Sequence, residues 1–485
     1  MSQYHRDTAY HRQSLGGHYL DWSQQPSPFK YYRHHEPQAL PTPTLPRAAF
    51  WDLALGWPPP PFEQAGPLDA GALAALLLLA AGVTSRAAQG PLGGLRAAAS
   101  AGALYPGELY FLATELPGLA DGLWHFAPEK PGLHLLWPGR LATHAAAAIG
   151  HQPARLTFVL SAIYWRSLWK YRTRAYRYCL LDTGHMLANL ELAAAAFGQV
   201  PRSTADFYDR PLSVLLGLAA EDEAPLVAVS VGETPQDPGP VSAGLPPLDR
   251  EPQPLSAKTG RDPAILGVHQ AGEMAEDAPR SLVPWDAQPL AALPEGAIPL
   301  PPPQGSGVGL LEVVRSRRSR RNFLDQPLSL DQLAALLAAA LPSPGPVRAM
   351  ALVHGGGEVP DGLFEYLPGR HALAPRAPRE DLRPRLAEAC LSQRWVGQAA
   401  LCLTLWADLD GLAAAGGPRR YRHAMLAAGR AGERLYLAAT ALGLGCCGVG
   451  AFYDQEAAWA SRLPAGADPL YVLAAGPVKG WPVKG

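Results

Sequence analysis

The sequence predicts a chain of mixed α and β structure built from two tandem copies of one unit, on three observations. Its 485 residues are too many for a single domain of ordinary size. Shifted by 245 positions, the stretch Tyr176–Asp209 lies on Tyr421–Asp454 without a gap, so that Tyr176/Tyr421, Arg177/Arg422, Gly184/Gly429 and the two Phe-Tyr-Asp triplets coincide. Four further segment pairs follow in the same order: PLDAGALAALL with PLSLDQLAALL, DGLWHF with DGLFEY, ARLTFVLSA with AALCLTLWA, and APLVAVSVG with DPLYVLAAG. Chance likeness between Ala/Leu-rich helices accounts for one such pair but not for five in one order.

Within each unit the elements can be read in turn. PLSLDQLAALLAAAL has helical spacing, and Ser329 stands where an N-cap belongs. ELYFLATEL, ARLTFVLSA and APLVAVSVG are short apolar runs bounded by Pro, Gly or charge, the pattern of strands. Tyr176–Phe197 and Tyr421–Leu442 read as long helices. The Pro-rich composition from Glu233 to Gly307 reads as a linker. The expected division is an N-terminal arm over 1–46, copy one over 47–232, the linker over 233–307 and copy two over 308–485.

Composition excludes several functions. Lys+Arg 41 against Asp+Glu 42 argues against a nucleic-acid partner bound through phosphate neutralisation. The longest apolar run, Ala72 to Val83, is too short to cross a bilayer as a helix, so no membrane partner is expected. The opening MSQYHRDTAYHRQ has no apolar signal region, and a cytoplasmic location is expected. The five cysteines form no Cys-x-x-Cys pair, and His34-His35-Glu36 has no second cluster at metal-binding spacing, so no metal is expected.

Four segments carry chemistry. GLGCCG at 443–448 has the letters of a dinucleotide fingerprint but follows a helix instead of a strand, so its glycines read as a helix stop and a close backbone approach. RSRRSRR at 315–321 is able to hold a phosphate through charge-assisted bonds, and equally fits a solvated basic turn. SAGALYP at 100–106 is a small-residue loop open to a ligand or simply a tight turn. Lys170-Tyr171 lies in the aromatic, basic stretch YWRSLWKYRTRAYRY, whose reading as a nucleic-acid stacking surface conflicts with the neutral net charge.

Together LEVVRSRRSRRNF, SAGALYP, KYRTRAYRYCLLDTGH and ERLYLAATALGLGCCGVGAF resemble the nitroreductase superfamily, and within it the SagB/ThcOx-type flavin dehydrogenases that oxidise azolines in peptide natural products. The opening YHRDTAYHR is also similar to that branch. The resemblance implies an α+β, nitroreductase-like fold, here as an intramolecular pseudo-dimer, with FMN bound between the copies. It implies that Arg317, Arg318, Ser319, Arg321, Gly448, Val449, Gly450, Lys479 and Lys484 hold the phosphate side of FMN. Ser100, Ala101, Gly102, Ala103, Leu104, Tyr105 and Pro106 would approach the same flavin from the other copy.

Copy one lacks the first set: opposite the arginines stand Trp57, Pro58, Pro59 and Pro61; opposite the glycines, Val200, Ser203 and Ala205; opposite the lysines, Pro235 and Pro240. Copy two lacks the second set, with ALPSPGP in place of SAGALYP and Ala415-Gly416 opposite Lys170-Tyr171. One complete flavin site per chain is the expectation. Lys170 is its expected catalytic base, with Tyr171 orienting it or relaying the proton. The implied partners are a small-molecule or peptide substrate, with NAD(P)H as a second electron partner, in a monomeric pseudo-dimer or a higher homo-oligomer. An NAD(P)H-dependent nitro- or quinone reductase and a flavin-free scaffold pseudoenzyme are the alternatives.

Overall fold

The structure is a computed structural model that describes residues 1–17, 19–56, 58–86, 94–240, 250–276, 293–356, 361–378 and 382–480. Its framework is two antiparallel seven-stranded sheets. The first contains β1 (Gln38–Ala39), β2 (Gly107–Ala113), β3 (Gly122–Ala127), β4 (Gly132–Pro138), β5 (Leu156–Ile163), β6 (Arg202–Thr204) and β7 (Glu223–Val231). The second contains β8 (Ile298–Pro299), β9 (Arg348–Val353), β10 (Gly362–Leu367), β11 (Ala372–Pro378), β12 (Leu401–Ala407), β13 (Gly445–Val449) and β14 (Asp468–Gly476). The strand orders are β1-β4-β3-β2-β5-β7-β6 and β8-β11-β10-β9-β12-β14-β13, the same topology twice. The fold is α+β, with one unit present twice in tandem.

The helices that matter to the site are α1 (Ser2–Asp7), α2 (Ala70–Ala81), α3 (Tyr164–Tyr171), α4 (Ala175–Ala196), α5 (Pro263–Ala271), α6 (Leu330–Ala340) and α7 (Arg420–Ala441). Ser329 caps α6 in a full capping box: its hydroxyl accepts from the Gln332 amide at 3.2 Å, and the Gln332 side chain accepts from the Ser329 amide at 3.1 Å. Asp69 does the same duty for α2, accepting from the Ala72 amide at 2.8 Å. The long helices α4 and α7, 245 residues apart in register, pack directly on each other and form the centre of the molecule.

Two buried ion clusters join the copies, each with the residue pattern of the other shifted by 245. Arg174 and Arg177 at the start of α4 donate to Asp454 of copy two at 2.8 and 2.7 Å. Arg419 and Arg422 at the start of α7 donate to Asp209 of copy one at 2.5 and 3.0 Å. Burial alone would raise both carboxyls, but the paired guanidiniums outweigh it and hold them below the usual range. These arginines are therefore committed to protein carboxylates, as is Arg166 to Glu108 at 2.5 Å.

Regions read as arm and linker carry structure of their own. The Tyr4 ring of α1 sits edge-on to both Tyr176 and Tyr421, with centroids 6.1 and 6.2 Å away, so the arm plugs one end of the α4–α7 pair. Lys30 forms a buried bond to Glu223 at 2.6 Å. Downstream, Asp262 caps α5 through the Ala264 amide at 2.8 Å, with Pro263 at the first helical position, and β8 extends the second sheet. Among the described residues no helix is long and apolar enough to cross a membrane, and no group of three or more His, Cys, Asp or Glu is placed to hold a metal.

Candidate active site between the two copies

GLGCCG leaves the end of α7 through Gly443 at φ 70°, the left-handed stop expected there. It then enters β13, antiparallel to β14, so no strand–turn–helix for a dinucleotide exists at this point. The arginine segment lies beside it: Ser319 bridges Cys446, and the Arg320 amide donates to the Cys446 carbonyl at 2.9 Å. Gly448 and Gly450 are small for a packing reason too, because a Cβ on Gly448 would strike the Tyr471 side chain and one on Gly450 the Tyr178 ring at 2.5 Å.

Opposite this wall, copy one supplies the 100–106 loop. Asp182 of α4 holds it by accepting from the Ser100 hydroxyl at 2.6 Å and the Ala101 amide at 3.1 Å. Burial raises the Asp182 carboxyl to about 6, against the opposing effect of these bonds. Gly102 turns at φ 65°, and a Cβ there would lie 2.7 Å from the Tyr171 hydroxyl and 2.9 Å from Lys170 Nζ. Lys170 is half-buried with Nζ 5.5 Å from the Tyr171 ring centre, and burial lowers its pKa. Burial raises Tyr171.

A cavity of about 160 Å³ opens between the two walls. Ser100, Ala101, Gly102 and Tyr171 line it from copy one, and Ser319, Arg321, Gly448, Val449 and Gly450 from copy two. Lys170 stands at its edge through Gly102. At the position related by the internal repeat, the loop at 340–347 meets α7 around a space of about 20 Å³. Arg434 borders it, donating to the carbonyls of Ala339 at 2.7 Å, Gly56 at 3.3 Å and Ala54.

Other expected site residues stand elsewhere. Arg317 is buried behind the cavity, donating to the carbonyls of Ala97 at 2.7 Å and Arg96 at 3.1 Å, with one guanidinium nitrogen left without a partner. Arg318 is spent on the carbonyls of Arg315 and Arg317 at 2.9 and 2.6 Å. Ala103 turns the loop at φ 54°, while Leu104, Tyr105 and Pro106 are buried in its exit; the Tyr105 hydroxyl accepts from the Arg96 amide at 3.1 Å. Lys479 is exposed and pairs through its backbone with Asn322. Lys484 and Trp57 lie outside the described residues.

Besides Asp182, the cavity is lined by polar residues not singled out from the sequence, among them His185, Tyr436 and Tyr471. His185 bonds Glu433 of copy two at 2.6 Å and the Tyr471 hydroxyl at 3.2 Å. The Tyr436 hydroxyl accepts from the Gly448 amide at 2.7 Å and meets the Ser319 hydroxyl at 3.1 Å, tying the arginine segment to β13 in the copy-two wall. A polar Asp and His inside the otherwise apolar CLLDTGHML stretch were the available signal.

The chain matches the nitroreductase family profile over residues 314–477. It is 32% identical over 163 residues to a nitroreductase-like protein of Methanocaldococcus jannaschii, covering 31% of this chain and 82% of that one. It is 28% identical over 147 residues to the microcin B17-processing protein McbC of Escherichia coli, covering 28% of this chain and 54% of McbC, so it spans about half of that relative's length. A crystal structure of a nitroreductase-like protein from Anabaena variabilis superposes with a TM-score of 0.77 at 25% identity, covering 99% of both chains.

Proposed function

This chain belongs to the nitroreductase family and is an oxidoreductase, and we propose that it is FMN-dependent, with one composite flavin site per chain, and oxidises azoline rings in a peptide substrate. The observation that carries this reading is the convergence of Lys170 Nζ and the Tyr171 hydroxyl on Gly102, at the edge of the inter-copy cavity. Similarity to McbC, which by name processes microcin B17, supports a peptide substrate.

The donor set fits a flavin phosphate on one side of the cavity. Arg321 and the Ser319 hydroxyl line it, the orphaned Arg317 nitrogen is a further buried donor, and the opposite wall is small-residue backbone that leaves room for a flat ring. Arg321 and Ser319 would hold the phosphate, while Arg317 braces the Arg96–Ala97 segment that leads into the Ser100 loop. When bound, FMN supplies the hydride acceptor. Lys170, with its pKa lowered by burial, takes the proton from the ring carbon, and Tyr171 orients the amine. Asp182 keeps the loop at the working distance.

The test is the absorption spectrum and released flavin of purified protein, together with anaerobic bleaching by a thiazoline peptide. One flavin per chain is expected, because Pro58, Pro59 and Pro61 stand in copy one where copy two has its arginine segment. Two flavins per chain would refute the composite site, and a flavin bleached by NAD(P)H but not by any thiazoline would refute the azoline reading.

A further inference from the structure

A second and larger cleft, of about 570 Å³, lies beside the inter-copy cavity and shares Tyr171 with it as a common wall. Its volume is in the range of ligand sites, whereas the ring that reacts in the first cavity is only five atoms. We infer that this cleft binds the extended peptide segment flanking the reacting ring; the inference rests on the peptide-azoline reading above.

The walls define what fits. One side is α5, which turns Ala264, Gly267 and Ala271 toward the cleft at helical spacing. A Cβ placed on Gly267 meets nothing within 4 Å, so this face is open to an approaching main chain. The other side is the N-terminal arm, with Tyr10, His11 and Leu15. Leu15 is 39% exposed, an apolar side chain left facing solvent at the mouth.

Charge narrows the ligand further. Arg174 lies in the cleft wall, but Asp454 already neutralises it at 2.8 Å and Tyr10 covers its guanidinium at 4.3 Å. Asp7 and Arg172 are both exposed and of opposite sign. No excess of either charge is offered, which fits a neutral chain and excludes phosphate or polyanion recognition. Continuity through Tyr171 gives the direction: residues next to the ring leave the flavin cavity past Tyr171 and lie between α5 and the arm.

The experiment uses the full chain with its flavin and a fluorescein-labelled neutral hexapeptide carrying a central thiazoline. Gly267→Phe fills the cleft from α5, and Leu15→Asp alters the opposite wall from a surface position that folding does not require. Anisotropy titration should show peptide affinity lowered by about tenfold or more in each variant. Flavin content and oxidation of a bare thiazoline carboxamide should stay at the wild-type level. Unchanged peptide affinity in both variants, absence of peptide binding to the wild type, or equal loss of bare-ring oxidation would overturn the cleft assignment. Peptide binding that is lost in the variants while the wild type oxidises no thiazoline would leave the cleft standing and overturn the functional reading instead.

Discussion

Gly184 and Gly429 meet where α4 crosses α7: a Cβ on Gly184 would lie 2.9 Å from Gly429 Cα. The same two residues coincide in the 245-residue shift, so the contact marks the internal two-fold axis. A Cβ on Gly429 would press on the Leu181 backbone, its Cα 2.9 Å away, where no flexible side chain is available to yield. Gly429→Ala should therefore destabilise the fold by roughly 1–3 kcal/mol despite alanine's better helix propensity. A urea unfolding midpoint equal to wild type would show that the helices separate without cost.

Arg321→Ala should lower FMN affinity by about one to two decades, the worth of a charge-assisted bond of roughly 1.5–3 kcal/mol. Pro61→Ala, at the corresponding place in copy one, should leave affinity unchanged. Flavin-fluorescence titration of both variants separates the roles of the two copies; equal losses would contradict them.

Lys170→Gln should retain its flavin but slow reduction by a thiazoline peptide by roughly two to four decades. The amine acts in its neutral form, and burial lowers its pKa, so the wild-type rate should rise with pH and level off below the ordinary lysine range. Rapid-mixing rates that are indifferent to the substitution would remove Lys170 from the reaction.

Asp182 gives a pH dependence of opposite sign in stability. Its carboxyl titrates near 6 when folded, against 3.8 for the ordinary side chain. Between these values the unfolded chain releases its proton first, so the group costs the folded state stability as pH rises from about 4 to 6, approaching roughly 3 kcal/mol at full ionisation. Asp182→Asn should accordingly raise the thermal midpoint most at pH 8, with the gain shrinking toward pH 4. A gain of equal size at both pH values would mean that burial of the charge is not its origin.

The repeat was legible because α4 and α7 must bury matching faces against each other, which holds Gly184/Gly429 and the Arg–Asp pairs in register. The capped helix α6 and the central strands were legible from local pattern alone. Arg317 was not: five arginines in seven residues look alike, and only the carbonyls of Arg96 and Ala97, more than 200 residues away, decide which one turns inward. Tyr436 and Tyr471 were hidden for the reverse reason, since a tyrosine in an apolar helix or strand reads as core until its hydroxyl is seen to meet Ser319, Gly448 or His185. In the arm, α1 is too short to show a hydrophobic period, and around α5 proline-rich sequence masked the helix; the order of α1 comes from packing against the distant residues Tyr176 and Tyr421.

All twenty-two residues of α4 are buried in the finished molecule. Its partner α7 is made 245 residues later, an interval of roughly 12 to 50 s at ordinary rates of translation. Throughout that time the first half of the nascent chain carries an uncovered apolar helix face and the carboxylate of Asp209 without its partners Arg419 and Arg422. Co-translational folding can thus complete the first sheet but not the first copy. Separately expressed halves should aggregate alone and become soluble when produced together.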